Sequence, residues 1–485
     1  MATRGLRPDF LYGFATAAAQ IEGGGADKEK ASGKGPSVSA AGSQDAHADD
    51  STDEQIWDAF CDVPGNINDG THVNKTCDHL GRYKEDVALM AKLGVNSYRF
   101  SISWPRVVPL GGRDDPINEQ GLQFYSDLVD ELLKHNITPF VTLFHWDLPQ
   151  GLHERYGGWL NKDEVVADYV RYARVCFERL GDRVKHWLTF NEPWCIAGHG
   201  YGYGQFAPGH KSNTEPWIVG HNVIVAHAHA SRLYRDEFKA KQGGIIGITL
   251  NGDWTVPYDD SAESKKAAQD KMDVAVGWFA DPIYLGHYPE SMRKMLGDRL
   301  PRFTNEELAL LKDSSEFYGM NFYTTHIIRA GADDELNGNT YSDFKKGDGS
   351  WIGLESDMGW HRSVPWGCRK MLNYLWDKYK TPIYMTENGM PVKGESDMPK
   401  DKAIHDVERI AYYDGYLSAM RDAVLEDGVD VRSYFGWSFM DNFEWNSGLV
   451  PRFGCVYVDY DTFERTPKDS ASFLIQWFEE NVPKA

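Results

Sequence analysis

Residues 185–194 read KHWLTFNEPW. The run 185–190 is β-branched and aromatic, which predicts a strand. It stops at two polar residues, Asn191 and Glu192, and Pro193 follows as a helix-starting residue. The same grammar recurs outward in both directions. Further strands are predicted at Leu11–Ala15, 95–101, Thr138–Phe144, 245–250, 317–322, 383–386 and 433–437. Long charged, amphipathic stretches lie between them: 121–134, Lys162–Leu180, 219–238 and Val407–Leu425 are predicted helices. Eight strands alternating with helices call for parallel β/α architecture. The strand number and chain length favour one closed (β/α)8 TIM barrel over residues 1–485, with loops inserted on its C-terminal face. An open doubly wound sheet normally carries a G-x-G-x-x-G turn after its first strand. Here that strand leads into ATAAAQIEGGG, which lacks the order.

In such a barrel the working groups stand at the C-terminal strand ends. Walking those ends gives Gln20, Arg99, His145 and Trp146, Asn191 and Glu192, Asn321 and Tyr323, Glu387, and Trp437 with Glu444 and Trp445. Any one of them is ordinary alone. With 72 Asp and Glu residues, a carboxylate beside a strand is usually a solvated loop charge. Arg99 also fits a structural ion pair, and Asn321 a plain strand-end cap. The joint pattern is specific: two Glu residues, each beside an Asn, follow strands on opposite sides of the barrel. Cleaving a glycosidic bond requires two carboxyl groups, because the leaving oxygen must be protonated while the oxocarbenium-like centre is stabilised. One must be neutral and one charged. Arg99 near Glu387 would keep the latter ionised, and the Glu387 charge would raise the pKa of Glu192.

Seven stretches carry a family resemblance: FATAAAQIEG (14–23), YRFSISWPRVVP (98–109), TLFHWDLP (142–149), TFNEP (189–193), YMTENG (384–389), WSFMDNFEW (437–445) and RFGCVYVDY (452–460). In this order they resemble glycoside hydrolase family 1, and within it the fungal intracellular β-glucosidases. The match runs from about Asp9 to Trp477. The resemblance implies a retaining enzyme for terminal β-D-glucosyl units, with cellobiose, short cello-oligosaccharides and aryl β-glucosides as partners and no metal or organic cofactor. It assigns Glu192 as acid/base and Glu387 as nucleophile, with Tyr323 and Arg99 beside the latter. It places Gln20, His145, Asn191, Glu444 and Trp445 on sugar hydroxyls and Trp437 beneath the ring, with Trp146 also at the glycone site. Trp194 lines the leaving-group side. An acid at Glu444 disfavours sugar 6-phosphates, and the presence of Glu192 disfavours a thioglucosidase. A preference for galactose or fucose remains open, as does a non-catalytic sugar-binding barrel; the presence of both Glu residues opposes the latter. Two departures stand out. Ala19 precedes Gln20 where an aromatic residue is common, and VSAAGSQDAHADDSTDEQ (38–55) interrupts the run from GKGPS to Ile56-Trp57. That insertion holds five acidic residues and no Lys or Arg, so it reads as a mobile rim loop.

The formal charge of −21 repels nucleic acid and anionic membrane surfaces, so neither is an expected partner. No window approaches the roughly 18 apolar residues of a membrane span, and no signal-peptide pattern opens the sequence. Six widely spaced cysteines form no metal-binding pattern and read as buried free thiols. His199 and His210 read as loop residues without a role. Together these features predict a cytoplasmic enzyme.

Overall fold

The computed structural model describes residues 5–23 and 54–483. Eight parallel strands close into a barrel: β1 Leu11–Ala15, β2 Ser97–Ser101, β3 Thr138–Phe144, β4 His186–Asn191, β5 Ile245–Asn251, β6 Tyr318–Asn321, β7 Ile383–Asn388 and β8 Val431–Trp437. Each pairs with its neighbours in chain order, and β8 closes on β1 with Leu11 opposite Ser433. The major helices returning to the N-terminal face are α1 His79–Leu93, α2 Glu119–Lys134, α3 Lys162–Leu180, α4 Glu215–Leu233, α5 Trp278–Leu285, α6 Pro365–Tyr379, α7 Val407–Leu425 and α8 Asp469–Asn481.

Local chemistry explains the boundaries. Asn118 accepts hydrogen bonds from the Gln120 and Gly121 amides, and so starts α2 two residues before its predicted position. Asn161 caps α3 in the same way through Glu164. The stretch predicted as one helix over 219–238 starts earlier, at Glu215, and widens into a looser turn at Tyr234–Phe238. Strand β7 runs two residues beyond its predicted end, so Glu387 and Asn388 are strand residues. A small sheet of Trp254–Pro257, Thr325–Ala330 and Thr340–Asp343, unforeseen in the sequence, packs together beyond β5 and β6.

The barrel interior is filled from opposite sides. Phe140 on β3 meets Phe317, Tyr384 and Phe435 at ring separations of 5.9, 5.6 and 5.4 Å, and Leu188 joins the cluster. These rings plug one layer. Nearer the C-terminal ends the interior turns polar, with Arg99, Thr142, Thr249, Asn321 and Thr386 buried there. A second, larger apolar core lies between strands and helices. The insertion predicted at 38–55 falls outside the described residues except for Glu54 and Gln55. Gln55 stands at the start of the next helix, Ile56–Cys61, where its amide donates to Asp58 Oδ2 at 3.0 Å.

Strands β1 and β2 lie close together at Gly13. A Cβ there would lie 2.0 Å from the Ser97 carbonyl oxygen. Gly13→Ala should therefore cost about 1–3 kcal/mol or more in urea unfolding, as expected for an overpacked site. An unchanged urea midpoint would show that the barrel seam is looser than described.

Candidate active site

The strand-end residues converge on one end of the barrel, and backbone geometry aims several of them. Glu192 has φ +46°, in the left-handed region, directly before the helix Pro193–Ala197. Proline disfavours the right-handed conformation in the residue before it. The left-handed conformation breaks the strand sharply at Glu192, at a cost of about 1–3 kcal/mol. Trp146 and Trp445 also have positive φ. The pairing of β4 with β5 and of β7 with β6 and β8 is irregular next to the two glutamates, as bulges beside active sites commonly are. Gly389 lets the end of β7 lie against β8, since a Cβ there would sit 1.7 Å from the Trp437 carbonyl oxygen.

Arg99 is fully buried and organises the centre. Its Nη1 donates to Glu387 Oε1 at 2.5 Å and to the Thr386 carbonyl at 3.0 Å. Its Nη2 donates to Asn191 Oδ1 at 2.7 Å, and its Nε to Thr142 at 3.3 Å. The Tyr323 hydroxyl donates to Glu387 Oε2 at 2.7 Å. Both oxygens of Glu387 thus accept from fixed donors. Among the described residues, Glu192 has no cation as a hydrogen-bond partner. Asn321 Nδ2 donates to its Oε1 at 2.7 Å, and the Cys195 thiol to its Oε2 at 3.1 Å. Burial, and then the charge of Glu387, push the Glu192 carboxyl up to about 8. Glu444 is also pushed up to about 8, by burial first and then by Glu387 and Glu192.

The remaining predicted residues surround this pair. His145 stacks within 5.9 Å of both Trp437 and Trp445. Burial and the nearby Arg99 hold its imidazole neutral. The Asn191 amide donates to His145 Nε2 at 3.0 Å, which leaves the ring proton on Nδ1. Trp146 packs 4.4 Å from Trp445 and donates its indole N–H to the Asn191 carbonyl. Gln20 Nε2 donates to Phe443 O at 2.8 Å and to Asn442 at 3.1 Å. Gln20 Oε1, His145 Nδ1 and Glu444 Oε2 are buried without a hydrogen-bond partner among the described residues. Such atoms suit a polyhydroxylated ligand, because buried polar groups require partners. Trp194 lies one residue from Cys195, with Lys271 Nζ 5.8 Å from its ring.

Four contributors were not singled out in the sequence. Cys195 touches Glu192. Tyr412 and Tyr416 both donate to the Tyr323 carbonyl and hold that loop. The Trp360 ring stands edge-on to Tyr323 at 5.7 Å. Tyr412, Tyr416 and Trp360 follow no barrel strand, and Cys195 lies four residues past the end of β4, inside the helix Pro193–Ala197, so the strand-end rule did not single them out. His199 is not a loop residue: it sits in the wide helical turn Gly198–Gly202, its ring 5.1 Å from Trp194. Burial pulls it down to about 4, so it is a neutral aromatic neighbour.

The glycosyl hydrolase family 1 model matches residues 2–482. The chain belongs to that family. It is 55% identical to beta-glucosidase 1B of Phanerodontia chrysosporium over 99% of this chain and 87% of the relative. The crystal structure of the beta-glucosidase from Trichoderma harzianum superposes with a TM-score of 0.92 at 49% identity, covering 100% of this chain and 99% of that one. A Humicola insolens GH1 beta-glucosidase solved in complex with glucose gives the same TM-score and identity, covering 99% and 100%. Among the described residues no helix is long and apolar enough to cross a membrane.

The carboxyl pair yields a direct check. In Glu387→Gln the charge beside Glu192 is gone while burial remains. Glu192 should then titrate below about 8, yet above the ordinary carboxylate range, in carboxyl-labelled glutamate NMR. An unchanged midpoint would mean that the two groups do not sense each other.

Proposed function

We propose that Glu387 is the nucleophile and Glu192 the acid/base of a double displacement at terminal nonreducing β-D-glucosyl units. The activity is that of a retaining β-glucosidase, a glycoside hydrolase of family 1. The observation that carries the residue roles is the unequal treatment of the two glutamates. Glu387 is paired with Arg99, whereas among the described residues Glu192 meets only neutral donors.

Glu387 attacks the anomeric carbon and the bond to the leaving oxygen breaks. That oxygen takes the proton of Glu192. The glycosyl ester removes the charge on Glu387, so one cause of the raised Glu192 pKa disappears. Glu192 then accepts a proton from water as the water attacks the ester, and Glu387 is released. Gln20, His145, Asn191, Glu444 and Trp445 supply the contacts to hydroxyls. Trp437 supplies an apolar floor, because aromatic faces match the C–H face of a sugar ring. Trp146 has spent its one N–H on Asn191, so it contributes a wall rather than a hydrogen bond. Trp194 belongs on the leaving-group side, beyond Glu192.

Cellobiose, short cello-oligosaccharides and aryl β-glucosides are the substrates we assign, which places the enzyme in cellulose breakdown. Support for a cytoplasmic location is the cysteine state: all six are free, as suits a reducing compartment. We read residues 1–485 as one catalytic domain, with 38–55 an insertion outside the chemistry.

Glu387→Gln should abolish turnover of every substrate. Glu192→Ala should cost about 10²–10⁴-fold on a phenyl glucoside and far less on a dinitrophenyl glucoside, whose leaving group needs little protonation. Equal losses on both would remove Glu192 from the acid role. A panel of aryl glycosides should show glucose preferred over galactose and fucose.

A further inference from the structure

Glu192 holds its two carboxyl oxygens against donors of different character, and the wider network decides what each can do. Arg99 carries only donors, so its bond makes Asn191 Oδ1 an acceptor. Asn321 must therefore present Nδ2 toward Asn191, at 3.0 Å, and the same Nδ2 reaches Glu192 Oε1. The Asn321 carbonyl oxygen is occupied in turn by the Thr386 hydroxyl at 2.7 Å. The amide cannot turn over without breaking this chain. The Asn321 N–H is accepted better by a carbonyl oxygen than by a protonated one, so the acid form favours its proton on Oε2.

The neighbour of Oε2 is the Cys195 sulfur at 3.1 Å. Position and burial are both fixed. Cys195 lies one helical turn past Glu192, and its amide donates to the Glu192 carbonyl at 2.9 Å. Its side chain is buried, and burial, reinforced by the adjacent Glu192, holds the thiol well above its ordinary range. It therefore stays S–H at working pH. A thiol is a weak donor to a carboxylate and a weak acceptor for a carboxylic acid. It tolerates both protonation states of Oε2, as an acid that later serves as base requires.

We propose that Cys195 is a positioning residue for Glu192, one that marks Oε2 as the proton-carrying oxygen and sets how readily the proton leaves. This rests on the reading of Glu192 as acid/base. Besides Asn321 and Cys195, other charged and titratable groups face this carboxyl. They are Glu387 from β7, Arg99 from β2, Tyr323 beyond β6 and Glu444 beyond β8. Asp253, beyond β5, faces the thiol itself.

The test is the alkaline limb of kcat/KM for phenyl β-glucoside, which reports loss of the acid proton in the free enzyme. In Cys195→Ala the carboxylate loses a donor, and the limb should move up by about half a pH unit. In Cys195→Ser a stronger donor favours the carboxylate, and the limb should move down by about as much. Displacements in opposite directions are not what a packing defect gives. Shifts in the same direction, or none, would overturn the proposal. Should either variant fail to fold, infrared difference spectra of the native enzyme across the limb give the same answer. An S–H stretch that moves as Glu192 titrates supports the proposal, and a still one refutes it. The Glu192→Ala variant on dinitrophenyl glucoside separates the two readings. A loss of kcat/KM there as large as on phenyl glucoside sinks the acid/base assignment itself, whereas a much smaller loss there together with a limb indifferent to Cys195 sinks only this inference.

Discussion

The ion pair between Arg99 and Glu387 is the constraint around which the barrel mouth is built. Both partners are buried, and a buried charge without its partner costs several kcal/mol. Arg99 answers this with donors spent in four directions. From β2 it reaches Thr142 on β3, Asn191 on β4, and both Thr386 and Glu387 on β7. One side chain thus ties strands on opposite sides of the barrel and fixes the polarity of the amides between them. The ring layer beneath, around Phe140, excludes water from below and leaves the charge pair little alternative solvation.

That arrangement creates inequality among three carboxyl groups. Glu192, Glu387 and Glu444 share one end of the barrel and influence one another. Among the described residues, only Glu387 has a cation in contact. The other two are pushed up to about 8 by burial and by their neighbours. Burial and mutual repulsion thus favour the neutral form of Glu192 and Glu444, the asymmetry that the proposed acid role of Glu192 requires. The same field keeps His145 neutral and leaves its Nδ1 proton available to a ligand.

How much of this was legible in the sequence depended on periodicity. Strand-and-helix alternation exposed the barrel, and Leu11–Ala15, Thr138–Phe144, Lys162–Leu180 and Val407–Leu425 match their predicted bounds. The strand-end rule reached Glu192, Glu387, Arg99 and Asn321 because those positions are set by the fold itself. It stopped short at β7, where an irregular pairing carries the strand through Glu387. It missed Cys195, which reads as one more buried thiol until the left-handed turn at Glu192 brings it onto the carboxyl. It missed Tyr412, Tyr416 and Trp360 too, since their contacts with Tyr323 cross between elements far apart in sequence. Long-range side-chain geometry leaves no local pattern to read.

Arg99 and Tyr323 hold both carboxyl oxygens of Glu387, the proposed nucleophile. The most direct measurement is to map a trapped intermediate. A 2-fluoro-glucoside with a dinitrophenolate leaving group destabilises the oxocarbenium-like transition state of both steps but favours the first, so an adduct accumulates. After quenching and proteolysis, mass spectrometry should find one fluoroglucosyl group, attached to Glu387. A label on Glu192 or Glu444, or no covalent adduct while the chromophore is released in a stoichiometric burst, would contradict the account.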